Sequence, residues 1–402
     1  MPLERAKALD SADPLRRFRD EFVIDDPNLI YLDGNSLGRL PKRAASMVRQ
    51  VVDEQWGRDL IRAWPTEWFD LPHRLGAKLA KVLGAHEDEV LLCDSTSVNL
   101  YKLLIAALQL QIGRTQILTD DANFPSDWYV MQGVCDLTGH QIEGLEALSD
   151  NTAVVTLSHV TFKSGFLYDM AAINEMSHRH GALTIWDLSH SVGAVPIDLN
   201  GSGADLAVGC CYKYLNGGPG ASAFLYVRRE LQERLRNPIQ GWFGRNNAFD
   251  FGLEYMPRPG IDRFLTGSPN ILSMAPIEAG IDLVLEAGIE NLRAKSLRQT
   301  DFLIELWREY LQPLRFSLNT PDPHAERGSH VSLGHPDALA IDLALIHEMN
   351  VIPDFRTPDN IRFGCTPLYT TFEELALAVL RIKEVVDGGL HLKYRDRTPV
   401  VT

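Results

Sequence analysis

Cysteine is scarce in this chain: Cys93, Cys135, Cys210, Cys211 and Cys365, with no CxxC spacing among them. That excludes a disulfide framework or a zinc ribbon, and an odd, sparse set fits reduced thiols in a cytosol. HExxH is missing too. His178 and His180 flank one residue on a polar stretch, so no metal site is expected. The glycines of 217–220 lack the GKS or GKT of a P-loop. No apolar run approaches the ~20 residues that span a bilayer, and the start, MPLERAKALDSADPLRRFRDEF, carries no secretory-type apolar core. A cytoplasmic protein with no membrane partner is the expectation. Positive charge is in deficit: 39 Lys and Arg against 53 Asp and Glu, a net −14. Such a field repels nucleic acid, so none is expected as a partner, and a bound phosphate would need local donors.

What is present is an ordinary globular composition, 45% hydrophobic and 23% charged over 402 residues, too long for one compact core. There is no internal repeat and no low-complexity stretch. Residues 1–45 read as a polar arm with a short helix. From 46 to 275, short apolar runs at Thr115–Thr119, Ala153–Ser158, Leu183–Trp186, Leu206–Cys210 and Ala223–Val227 alternate with helical stretches. One of these, MAAINEMSHRHG, ends at Gly181, a helix-terminating glycine. Strand, helix, strand in series predicts an α/β fold with a mostly parallel sheet covered by helices, binding ligands at the carboxyl ends of its strands. Residues 276–402 read as a linking helix (about 277–311) and a smaller α+β domain. Its strands are His330–Leu333, Val351–Phe355 and Ile361–Gly364, and its helices Pro336–Met349 and Phe372–Val386.

Four strand-end motifs carry chemistry. In CYKYLNGGPG (211–220) Lys213 follows an apolar strand and precedes a glycine-rich turn; a partly desolvated lysine there is a nucleophile toward an aldehyde. A surface loop lysine is the commoner reading of one such residue alone. In TIWDLSHSVGAVPID (184–198) Asp187 ends a strand 26 residues before Lys213, room for one helix–strand excursion that returns both to one sheet edge. A carboxylate there can keep a pyridine nitrogen protonated; alone it reads equally as a helix cap. In CDSTSVNL (93–100) Ser95, Thr96 and Ser97 open an apolar helix, whose free N–H groups favour phosphate, and one of the three can cap while its neighbours bind. In NFPSDWY (123–129) Phe124 offers a flat face and Asp127 a polar contact.

Together these segments resemble pyridoxal 5'-phosphate (PLP) enzymes of fold type I, in the aminotransferase class V branch, and more specifically the kynureninase family. The resemblance extends through YLDGNSLGRLPK (31–42), WGRDLIRAW (56–64), NFPSD (123–127), SHVTFKSG (158–165), WDLSHSVGAVP (186–196), YKYLNGGPG (212–220), GWFG (241–244), RGSHVSL (327–333) and RFGCTPLYTTFEE (362–374), in family order. It implies the PLP-dependent transferase fold, and PLP carried covalently by Lys213 with Asp187 on its ring nitrogen. Thr96, Ser97, Tyr212 and Trp242 would hold its phosphate, with Ser268 reaching over from a neighbouring subunit. Phe124 would stack on the ring, and Pro125, Ser126, Asp127, Ser158 and His190 would make further cofactor contacts. Arg362 would bind the substrate α-carboxylate, with Asn35 and Ser36 nearby, and Trp64 with Gly267 and Ser268 would form a ring pocket of bacterial type. Catalytic roles fall to Lys213, Tyr212 and Asp187. The implied reaction is hydrolytic Cβ–Cγ cleavage of L-kynurenine, and less well of 3-hydroxy-L-kynurenine, in tryptophan catabolism, by a homodimer with shared sites. The alternative enzyme, a cysteine desulfurase or selenocysteine lyase, needs a reactive cysteine near Arg362. Cys365 is the one candidate, and its strand-end setting favours a structural thiol. A silent PLP-binding protein would have no use for Arg362 or the Trp64 pocket.

Overall fold

The structure, a computed structural model, describes residues 2–398. Its centre is a seven-stranded sheet. The spatial order is Val90–Leu92, Phe224–Val227, Leu206–Gly209, Leu183–Asp187, Thr152–Ser158, Gln116–Thr119 and Gln141–Gly144. Phe224–Val227 runs antiparallel to both neighbours, and the other six run parallel to one another. The three inner strands Thr152–Ser158, Leu183–Asp187 and Leu206–Gly209 are buried along their whole length, which is why they read as continuous apolar runs and not as alternation. Helix Thr96–Leu110 packs its apolar side chains on one face of the sheet, in a core with Leu91, Val154, Ile185 and Val208. The opposite face buries Leu92, Val155, Trp186 and Ala207 against helices Leu71–Leu83 and Ile277–Ala287.

The C-terminal residues build a four-stranded antiparallel sheet, in the order Asp354–Arg356, Asn360–Gly364, His330–Gly334 and Ser317–Leu318. Helices Ala338–Met349 and Phe372–Asp387 cover it. Thr371 opens the second helix with a capping box to Glu374, satisfying otherwise orphaned backbone donors. Ala6, Ile30 and Leu32 of the N-terminal arm are buried in this same core.

Two sequence expectations need correction here. The single strand Val351–Phe355 is two strands. Val351–Ile352 pairs in parallel with Ile30–Tyr31, and Asp354–Arg356 joins the C-terminal sheet. Pro353 sits between them, and with no N–H to offer a ladder it is where the chain changes sheets. The linking helix is also interrupted: Ile277–Ala287 ends and Ile289–Leu306 begins around Gly288, at φ +78°, a backbone conformation glycine adopts without penalty. The strand Gln141–Gly144 and the helical turns through 51–68 lie outside the elements expected from the sequence. No helix among the described residues is long and apolar enough to cross a membrane.

Candidate active site

Parallel register assembles the site. Ser158 pairs with Asp187, and Asp187 with Val208, so three strands end level at one sheet edge. The chain leaving the third strand runs through Cys210 and Cys211 straight into Tyr212 and Lys213. The turn after Lys213 closes with Asn216 at φ +52° and Gly218 at φ +87°, left-handed positions that asparagine and glycine tolerate best. The N-terminal segment 33–38 lies directly on this turn. The Gly38 N–H donates to the Tyr212 carbonyl at 2.8 Å. A Cβ at Gly38 would come within 2.4 Å of the Lys213 carbonyl oxygen, so the approach requires glycine.

Lys213 is 9% exposed. Its Nζ lies 3.3 Å from both ring nitrogens of His190, 5.7 Å from the centre of the Phe124 ring and 5.9 Å from that of Tyr212. Burial first, and then the Lys213 charge, hold His190 well below its ordinary value, so its ring is neutral at neutral pH. The Tyr212 phenol is held above its usual range by neighbouring Cys210 and by burial, and keeps its proton. Asp187 is buried. Its Oδ1 accepts from the Ser189 N–H at 2.9 Å and the Ser189 hydroxyl at 2.6 Å. Burial nevertheless raises the acid above its ordinary value, against the pull of Lys213 and Ser189. Asp127, buried in the first turn of helix Pro125–Thr138, is raised further, by burial and then by the Asp187 charge.

Two buried carboxyls beside a single lysine, with the Asp187 charge opposing the ionisation of Asp127, make a site short of positive charge. A protonated pyridine nitrogen supplies such a charge. At the other end of this space Ser95 caps helix Thr96–Leu110 by accepting from the Val98 N–H at 3.4 Å. That leaves Thr96 and Ser97 unoccupied by capping, and the Ser97 hydroxyl meets the Ser126 hydroxyl at 3.0 Å. Two helix N-termini, Thr96 and Pro125, thus bring hydroxyls and backbone donors to one spot, a phosphate-type donor set. The residues present fit PLP.

Arg362 enters from the C-terminal sheet, 1% exposed. It bonds the Phe162 carbonyl, the Asp354 carboxylate and, at 3.0 Å, the Ser36 hydroxyl. Its Nε has no partner among the described residues, and neither do the side-chain atoms of buried Asn35. The ring of Phe162 meets Phe124 edge-on at 5.2 Å, which links the arginine's surroundings to the ring-stacking position. Thus Lys213, Tyr212, Asp187, His190, Phe124, Pro125, Ser126, Asp127, Ser158, Thr96, Ser97, Arg362, Asn35 and Ser36 gather from both sheets and the arm.

Three expected residues take other partners within the chain. Trp64 packs in a separate aromatic cluster with Trp68, Phe69 and Phe243, with ring centres 5.3–5.8 Å apart. Trp242 is partly exposed, and its indole N–H goes to the Ala248 carbonyl at 3.1 Å. Ser268 is exposed. Residues outside the expected set complete the site. Ser189 orients Asp187, Asn123 accepts from the Ser158 hydroxyl at 2.6 Å, and Asp354 pairs with Arg362. His330 is fully buried with neither ring nitrogen partnered among the described residues, 5.9 Å from the His190 ring; burial, then the Arg362 charge, holds it down at about 3. Ser189, Asn123 and His330 lie inside the quoted motif segments and were within reach of the sequence. Asp354 comes from register alone.

Cys365 is fully buried, its thiol is pushed up to about 12 by burial, and it points a weak bond at the Phe363 carbonyl. A buried, protonated thiol is a poor nucleophile.

The chain resembles solved structures over nearly its whole length. Cysteine desulfurase CsdA from Escherichia coli superposes with a TM-score of 0.79 at 15% identity, covering 94% of this chain and 98% of that one. A C-DES K223A mutant with glycine covalently linked to its PLP cofactor superposes at 0.76 and 19% identity, covering 89% and 97%. At such identities these establish the fold: α/β, of PLP fold type I. Residues 292–382 match the Kynureninase C-terminal domain family. Kynureninase of Deinococcus radiodurans is 44% identical over 400 residues, covering 96% of this chain and 97% of that one. Kynureninase of Pseudomonas fluorescens is 45% identical over 394 residues, 94% of each. Likeness of that depth and extent, over a chain whose strand ends collect Lys213, Asp187 and Arg362, means that it belongs to the kynureninase family.

Proposed function

We propose that this chain hydrolyses L-kynurenine at its Cβ–Cγ bond, with PLP as cofactor, to give anthranilate and L-alanine. The observation that carries the reading is the enclosed Lys213 amine facing two buried carboxyls, with Arg362 fixed beside it. Bound PLP supplies an electron sink for the substrate's α-carbon. Lys213 would hold the cofactor, and its Nζ is placed to take and return the substrate's α-proton, general-base chemistry that a neutral His190 alongside leaves undisturbed. Asp187 orients the ring nitrogen through the oxygen that Ser189 leaves open. Phe124 covers the ring, and Thr96, Ser97, Ser126 and Tyr212 hold the phosphate. Tyr212 also carries a proton at Oη that it can give to the β-carbon. Arg362 takes the α-carboxylate, a task suited to a fork of N–H donors. Turnover of L-kynurenine, followed by anthranilate fluorescence, tests the reading. Release of sulfide from cysteine, with kynurenine untouched, would favour the desulfurase alternative, which the buried Cys365 already disfavours.

The same proposal divides the chain into an arm (1–45), a large cofactor-binding domain (46–275) and a C-terminal domain (276–402), supported by the two sheets with their separate cores. It makes the protein a cytoplasmic homodimer. Exposed Trp56, Leu60, Ile61, Phe249, Phe251 and Leu253 support a covered interface, because apolar surface of that extent is seldom left to water. Ser268, Trp64 and Trp242, which take other partners in their own chain, then serve the partner's site or its rim. Mixing inactive Lys213→Ala with an inactive Trp64→Ala, Ser268→Asp variant should restore activity through hybrid dimers. Proven subunit exchange with no recovery would remove the shared site.

Substrate choice follows from the same pocket. Trp64 offers an apolar face, and Gly267 and Ser268 offer little to a ring hydroxyl. Burying an unpaired hydroxyl costs about 1–3 kcal/mol, so L-kynurenine should be preferred over 3-hydroxy-L-kynurenine by roughly tenfold to a hundredfold. A Trp64→His, Ser268→Asn variant should move kcat/KM toward the hydroxylated substrate. An unchanged ratio would mean that Trp64 is only a core aromatic.

A further inference from the structure

Arg362 poses an electrostatic problem. Antiparallel register places Asp354 directly opposite it, a cross-strand distance at which opposite charges meet, and the two form a fully buried ion pair. An arginine already neutralised by a carboxylate has little field left for a second one. The structure contains what offsets this. Arg356 lies two residues along the same strand, on the same face as Asp354, and bonds the other carboxylate oxygen, Oδ1. Its guanidinium is half-buried, and burial and the Arg362 charge pull it below its ordinary value. Ser36 ties the group together. Its hydroxyl donates to Asp354 Oδ2 at 2.8 Å and lies 3.0 Å from Arg362 Nη2 and 3.4 Å from Arg356 Nη2. Two further acids face the cluster, Asp33 from the arm and Asp342 from helix Ala338–Met349. Both are pushed up to about 8, by burial first and then by the Asp354 charge, so at neutral pH both are largely protonated. The two guanidiniums thus share the Asp354 carboxylate, Arg362 on Oδ2 and Arg356 on Oδ1.

We propose that Arg356 and Asp354 are positioning residues for recognition of the substrate's α-carboxylate: Asp354 and Ser36 fix the Arg362 guanidinium, and Arg356 offsets the Asp354 charge so that Arg362 keeps its attraction for an anion. This rests on Arg362 being the carboxylate-binding group. The residues that set affinity for the carboxylate therefore include one that need not touch it.

The test uses the PLP-loaded enzyme and reads binding separately from turnover. L-Alanine and L-alaninamide, which differ in the carboxylate alone, are titrated against the visible cofactor band. Wild type should bind L-alanine the more tightly; no preference there would overturn the Arg362 reading and this inference with it. Given that preference, Arg356→Gln should weaken L-alanine and raise the L-kynurenine KM about tenfold, the scale of one unit charge at a water-bounded cleft. Alaninamide affinity should stay unchanged and kcat should stay within about twofold. Arg356→Lys keeps the charge and should retain the wild-type ratio of the two affinities. Equal weakening of alanine and alaninamide in Arg356→Gln, or a fall in kcat at constant KM, would show a merely structural role and overturn the proposal. If Arg356→Gln does not fold, a folded Arg356→Lys that has lost the preference for L-alanine would overturn it equally, because the charge would then not be the cause.

Discussion

Lys213→Ala is expected to abolish turnover, lowering kcat by at least about 10³–10⁴-fold, the scale of a lost general base compounded by loss of the covalent anchor. The reason is geometric. Lys213 Nζ sits within 3.3 Å of His190 and above the Phe124 ring, and no other described lysine has that placement. His190 cannot take over as base, because burial and the neighbouring charge leave it far too weakly basic. The visible band of lysine-bound PLP should vanish as well, while Thr96, Ser97 and Asp187 retain cofactor without the covalent link. Borohydride reduction of wild type followed by peptide mapping should place pyridoxyl on Lys213. Label on Lys163 or any other lysine would refute the assignment.

Asp187→Asn should keep the covalent PLP band and the fold yet lose most activity, about a hundredfold or more. The amide oxygen can still accept both Ser189 hydrogen bonds, which fall on a single carboxylate oxygen, so melting temperature should change little. What the amide cannot do is hold the ring-nitrogen proton. A charge-assisted bond of this kind is worth about 1.5–3 kcal/mol, and each 1.4 kcal/mol lost from transition-state stabilisation is about tenfold in rate. Asp127 provides the internal comparison. Its ionisation is opposed in part by the Asp187 charge, so Asp127→Asn removes the weaker of the two acids and should be markedly milder. If Asp127→Asn proves the more damaging change, the two carboxyls exchange roles.

Much of the fold was legible because buried parallel strands leave a strong signature. Continuous apolar runs ending in single polar residues located Ser158, Asp187 and the approach to Lys213, each within a residue or two. Errors came where local pattern and tertiary partner disagree. Val351–Phe355 is apolar enough to read as one strand, but which sheet each half joins is decided by Ile30–Tyr31 and Asn360–Gly364, far away in sequence. Gln141–Gly144, an edge strand with alternating exposure, lacks the apolar continuity that flagged its neighbours.

Sequence by itself determined the chemistry available: one lysine after a strand and before a glycine-rich turn, an aspartate 26 residues earlier at another strand end, and hydroxyls opening an apolar helix. These are local signals, written in residues close together along the chain, and the resemblance of their order carried the family. Tertiary structure alone decided the electrostatics. That the Asp187 charge opposes the ionisation of Asp127, that His190 and His330 are buried neutral, and that Asp354 sits across from Arg362 with Arg356 beyond it, all depend on the fold bringing separate strands and turns together. Charge interactions depend on distance and burial, and neither quantity exists until the chain has folded.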